Sequence, residues 1–132
     1  MPDPIRQEFR VPGLGEPISH YTDAVRFGDL LFISGIGPLA EDGSLVGRDD
    51  PAEQTRQIFR NMDKVLRAAG AGPADVLKVT VYLTEIADRA RINPVRQQFF
   101  GTARPASTLV EVSRLAIPGM KVEIEAVVGL PR

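Results

Sequence analysis

Two strand-like runs near the C-terminal end constrain the fold most: Ser107–Leu115 and Met120–Val128, separated by Pro118-Gly119. In the second run Val122, Ile124, Ala126 and Val128 alternate with Lys121, Glu123 and Glu125. Side chains on a strand point alternately to its two faces, so this run has one apolar and one carboxylate-bearing face. Pro-Gly supplies turn chemistry. The pattern predicts an antiparallel pair, with any functional site at the polar edge of its sheet.

The rest of the chain supplies what such a pair packs against. Arg6 to Val11 is an edge-strand candidate, soon broken by Pro12-Gly13. Tyr21 to Arg26 reads as a short strand, Gly28-Asp29 as a hairpin turn and Leu30 to Ser34 as a central strand. Gly35 to Gly47 reads as a loop. A helix follows: Asp50 is its N-cap, Pro51 suits its first position and Glu53 completes a capping-box-like pattern. Ile58, Met62, Val65, Leu66 and Ala69 share its apolar face, Arg56, Gln57, Arg60 and Lys64 its solvent face, and Gly70 ends it. Asp75 to Thr84 is rich in β-branched residues and reads as a strand. A second helix precedes Gly101. Either Asp88 caps it, or Asn93 caps it with Pro94 at the first position; the penalty for an internal proline, about 3 kcal/mol, favours the later start or a break. The order β-β-β-α-β-α-β-β implies an α+β domain, one sheet with helices on one face. Apolar residues occur on both parities of the Val76–Leu83 and Ser107–Val112 runs, so the second face of the sheet is expected to be covered by another subunit.

Composition narrows the function. The 132 residues form one domain, residues 1–132, large enough for a core without disulfides. A net charge of −1 argues against a nucleic-acid binder that works by phosphate neutralisation. No apolar run is long enough to span a membrane, and Met1-Pro-Asp-Pro-Ile-Arg lacks an apolar signal core. The chain has no cysteine, compatible with a reducing cytosol, and one histidine, His20, so neither thiol chemistry nor a conventional transition-metal site is expected.

Several residues are candidates for chemistry, each with a structural alternative. Glu123 and Glu125, with Glu111, suit acid–base work or form a solvated, salt-bridged face with Arg114 or Lys121. Tyr21, beside His20, stands at a pocket mouth or packs its ring on the core. Ser34-Gly35-Ile36-Gly37 presents backbone N–H groups to an anion or simply turns. Asn93 caps a helix or donates to a ligand. Ser107 has no neighbouring base in sequence, and a strand-start hydroxyl is its default.

Taken together, RPASTLVEVSRL and KVEIEAVV resemble the C-terminal signature of the YjgF/RidA family of enamine/imine deaminases. Tyr21, GDLLFISG, AAGAG, VLKVTVYLT, Asn93 and Phe99-Phe100 follow the same family in order and spacing. The resemblance implies a chorismate-mutase-like fold, with a mixed sheet and two helices on one face. It implies a homotrimer with clefts between subunits, a small-molecule ligand and no metal or organic cofactor; composition and charge add the expectation of a cytoplasmic protein without nucleic-acid or membrane partners. It also implies hydrolysis of enamines and imines such as 2-aminoacrylate to keto acids and ammonia. On this resemblance Tyr21 and Glu123 are the catalytic residues, with Glu123 helping to position water. Asn93, Gly35 and Ser107 line the substrate. Ser107 occupies the position of the arginine that grips the substrate carboxylate in deaminating members, so an altered substrate is expected. Arg104 precedes Pro105 on the other parity; Arg91 or Arg96 of an adjacent subunit is the alternative source of positive charge. A metabolite-binding trimer without chemistry, and an endoribonuclease or translation inhibitor, are the other readings.

Overall fold

The computed structural model describes residues 5–131; Met1 to Pro4, the start of the segment read as lacking a signal core, lie outside the described residues. Six strands and two helices follow in the expected order: β1 (Gln7–Phe9), β2 (Ala24–Phe27), β3 (Leu30–Ile36), α1 (Pro51–Ala68), β4 (Val76–Leu83), α2 (Arg89–Phe100), β5 (Ala106–Glu111) and β6 (Val122–Gly129). All six strands form one mixed sheet, in the order β1-β2-β3-β6-β4-β5.

That order corrects the expected pairing of the two C-terminal runs. β6 inserts between β3 and β4, antiparallel to both. β5 lies outside β4 and parallel to it, with Ser107 opposite Val79. The carboxylate-bearing strand is therefore central, and the serine-bearing strand is the edge. The reason is burial: Val122, Ile124, Ala126 and Val128 are all buried, and a central position covers that whole stripe.

The core lies between this stripe and α1. Ile58, Met62, Val65 and Leu66 of α1 are fully buried against Leu31, Val79, Val81, Leu83 and the β6 residues. At ~25 cal/mol per Å² of apolar surface, each such side chain contributes roughly 1.5–3 kcal/mol. The cap residues hold, with Asp50 accepting from the Glu53 N–H at 3.1 Å and Gly70 taking a positive φ just beyond the C-cap, but Glu53 does not close a capping box: its carboxylate pairs with Arg56 and Arg60, and the Asp50 N–H donates to the Gly47 carbonyl. Phe59 stacks on Phe99 with centroids 4.4 Å apart and meets Phe100 edge-on at 5.5 Å, joining the helices.

Three local expectations differ. Helix α2 starts at Arg89, so Asn93 is not a cap and Pro94 lies inside the helix. Proline cannot donate to the Ala90 carbonyl, but both residues are exposed, so water can satisfy that group, while buried Ile92, Val95 and Phe100 hold the helix in place. Strand β3 runs on to Ile36 through a register shift between Ile33 and Ile36, so Ser34–Ile36 is a bulged strand end, not a loop or anion nest. Gln57 and Lys64 are half-buried: they donate to the carbonyls of Leu39 and Gly13 at 3.3 and 2.9 Å.

Candidate functional site

The sheet face away from the helices carries the candidate carboxylates. Glu123 pairs in register with Tyr82, and Glu125 with Thr80. The Tyr82 hydroxyl donates to Glu125 Oε1 at 2.7 Å, and that bond, more than desolvation, raises the tyrosine's pKa. Lys121 pairs with Glu85, not Glu123. Glu111 is separate from both: it sits opposite Leu83 and accepts from the Ile86 N–H at 2.9 Å.

Glu123 differs from its neighbours. It is half-buried, and no hydrogen bond or ion pair engages its carboxyl among the described residues. Burial raises its pKa above the ordinary carboxylate value, and the nearby charge of Glu125 adds to the shift. Its carboxyl lies across Gly35, where a Cβ would be only 2.0 Å from Oε1. Glycine is what lets the carboxylate approach the bulged backbone.

Glu123, Gly35, Ser34 and Tyr21 line one cavity of about 350 Å³, with Ile18 and Met120. Tyr21 is exposed and precedes β2 instead of belonging to it; its hydroxyl oxygen accepts from the Ile18 N–H at 3.3 Å. The cavity wall is held from α1 by polar side chains that periodicity did not mark. Asn61 donates to the Gly37 and Leu39 carbonyls at 3.3 and 2.9 Å. Gln54 donates to Gly119 and Gly47 and accepts from the Lys121 N–H at 2.7 Å, fixing the entry to β6. Both are buried. Their only sequence signal is an amide where a helix should be apolar.

Asn93, Arg96, Arg104 and Ser107 line a different cavity, of about 520 Å³, between the end of α2 and β5. Arg96 donates from its NH2 group to Ser107 Oγ at 2.9 Å. Burial lowers the pKa of its guanidinium. Arg91 instead lies 3.9 Å from the buried Asp88. Ser107 sits opposite Val79 and so Ala126, three residues along β6 from Glu123 and two strands away. At about 3.3 Å per residue and 4.8 Å per strand, the two backbones are roughly 14 Å apart. One chain therefore brings Tyr21, Gly35 and Glu123 together, and Asn93 and Ser107 together, but not the two groups. No cluster of three or more potential metal-binding residues occurs among the described residues.

Comparison with known proteins agrees with this architecture. The profile of the endoribonuclease L-PSP family matches residues 14–129. A RutC family protein of Pyrococcus horikoshii is 41% identical over 112 residues, 85% of this chain and 88% of that protein. The 3-aminoacrylate deaminase RutC of Acinetobacter baylyi is 33% identical, over 87% of this chain and 90% of that protein. The crystal structure of YyfA, a Rid-family protein of unknown function from Yersinia pestis, superposes with a TM-score of 0.89 at 34% identity, covering 96% of this chain and all of that one. With this fold, of the chorismate-mutase-like type, and these relatives, the chain belongs to the endoribonuclease L-PSP family, the YjgF/RidA family.

Proposed function

We propose that this chain is the subunit of a homotrimeric hydrolase that converts small enamines and imines to carbonyl compounds and ammonia. The observation that supports it most is Glu123, a half-buried carboxyl without a hydrogen-bond or ion-pair partner among the described residues that opens onto the Tyr21 cavity. A raised pKa makes this group a better proton acceptor near neutral pH than an ordinary carboxylate. The enamine first tautomerises to the imine. Water then attacks the imine carbon, one of its protons passing through the Glu123 carboxylate to nitrogen, which gives a carbon bearing both hydroxyl and amino groups. The hydroxyl proton follows by the same carboxylate to nitrogen as the C–N bond breaks, so ammonia leaves and a C=O bond remains, with one water consumed per ammonia released. Tyr21 orients the substrate through its phenol.

The trimer completes the site. A substrate of a few heavy atoms cannot bridge roughly 14 Å between Glu123 and Ser107 in one chain. A neighbouring subunit laid against the open sheet face supplies the second cavity to the first. That face presents Phe32, which is 47% exposed, and Val110, 38% exposed.

Ammonia release from enamines and imines generated in situ tests this reading. Wild type should turn over at least one of them, and Glu123→Gln should lose about 10²–10⁴-fold in kcat. A folded trimer inactive on the whole panel, or an equally active Glu123→Gln, refutes it.

A further inference from the structure

The helical layer carries an open groove of about 450 Å³ in the seam between α1 and α2. Its floor is apolar, made by Phe59 of α1, Val95 and Phe99 of α2, and Pro73 in the turn that follows α1. Phe59 and Phe99 stack with their ring planes only 12° apart. Parallel rings of this kind accept a further planar ring by offset or edge contact. On the α1 side the rim is charged by Arg56, Arg60 and Asp63.

The charges on that rim do not balance. Arg56 and Arg60 divide one carboxylate: Arg56 Nη1 lies 3.0 Å from one Glu53 oxygen, and Arg60 Nη1 lies 3.3 Å from the other. Asp63 is taken by Arg67, whose Nε is 2.7 Å away. Three guanidiniums therefore meet two carboxylates. Arg56 and Arg60 each reach Glu53 through a single terminal nitrogen, which leaves each of them N–H groups for another acceptor.

We propose that this groove binds a small planar aromatic acid, its ring on Phe59 and Phe99 and its carboxylate against Arg56 and Arg60. The apolar floor by itself suits any hydrophobe. The surplus positive charge at its edge selects an anion, and a guanidinium fork fits a carboxylate through two parallel bonds. The volume is that of a small-molecule site. None of the groove residues belongs to the sheet, so the site is separate from the Glu123 cavity and from the open sheet face. It rests on neither the hydrolase nor the trimer.

The probes are indole-3-acetate, its uncharged counterpart indole-3-acetamide, and cyclohexylacetate, an acid without an aromatic ring. Each is titrated into isotope-labelled full-length protein and followed by backbone amide chemical shifts. Wild type should bind indole-3-acetate with a dissociation constant on the order of a millimolar or below, about fivefold more tightly than the amide. The largest shifts should fall on α1 and α2 around Phe59 and Phe99. Because both arginines are about half exposed, the preference should shrink as salt rises. Glu53→Gln removes the shared carboxylate; it should tighten the acid about threefold and leave the amide unchanged. Replacing both arginines, Arg56→Gln with Arg60→Gln, should abolish the preference. Phe99→Leu should weaken both indoles, and Glu53→Gln decides the matter if Phe99→Leu does not fold. Equal or absent binding of acid and amide to wild type, shifts centred on the Glu123 or Ser107 cavity, or a preference that Glu53→Gln leaves unchanged overturns the assignment. So does cyclohexylacetate binding as tightly as indole-3-acetate.

Discussion

Gly35→Ala separates the stability of this fold from the placement of its carboxylate. The added Cβ would lie 2.0 Å from Glu123 Oε1, 3.0 Å from its Cδ and 3.3 Å from its Cγ. Every one of these atoms belongs to the end of a flexible side chain. Restoring a contact of about 3.5 Å moves the nearest oxygen by about 1.5 Å, which a rotation of Glu123 supplies without moving backbone. Gly35 is not among the glycines at positive φ, so alanine meets no backbone penalty, and replacing glycine within a strand offsets ~0.5–1 kcal/mol of the crowding. The net change in stability should be within about 1 kcal/mol, or about 4 °C in Tm. Activity should respond differently, because a displacement of about 1 Å in a catalytic group is enough to lose ~10²-fold. The assay is ammonia release at saturating substrate, paired with thermal melting of the same preparation. A variant with wild-type kcat would show that the position of the Glu123 carboxyl over Gly35 is unimportant. A fall in Tm beyond about 8 °C would show that Glu123 cannot rotate away and that the strand itself is strained.

Further outcomes follow from the same geometry. Because the folded-state pKa of Glu123 is raised, first by burial and then by Glu125, its contribution is fully favourable below the unfolded value of about 4.5 and is lost as pH rises through the folded pKa. Glu123→Gln should therefore melt with wild type near pH 4 and above it at pH 7; a constant difference across that range would contradict the shift. Gln54→Leu leaves the Gly47 and Gly119 carbonyls and the Lys121 N–H without their partners. It should lower stability by about 3 kcal/mol in chemical denaturation, and a loss under 1 kcal/mol would show that water replaces the amide. Phe32 sits between Val25 and Val127 on the open sheet face. If a second subunit covers it, Phe32→Lys should shift light-scattering mass from trimer towards monomer, with far-UV circular dichroism unchanged; an intact trimer would place the interface elsewhere.

Local chemistry was written plainly along this chain. Asp50 and Gly70 bound the first helix because capping depends on residues three or four apart. The Gly28-Asp29 hairpin and the alternation of β6 were legible for the same reason: each depends on neighbours in sequence. Pro94 misled because its penalty is local, whereas the burial of Ile92, Val95 and Phe100 that outweighs it comes from elsewhere in the fold.

The sequence by itself determined the elements, their order and the family, and it named Tyr21, Gly35, Asn93, Ser107 and Glu123. Only the tertiary structure decided which strands are neighbours, since period-two patterns say which face is buried and nothing about the partner. It put β6 beside β4 and β5 at the edge, and so divided the named residues between two cavities. It also turned Gln54 and Asn61 inward and set Arg96 against Ser107, contacts whose partners lie 11 to 67 residues away. A hydrogen bond between residues distant in sequence leaves no periodicity behind, because its energy depends on a separation that the folded chain alone defines.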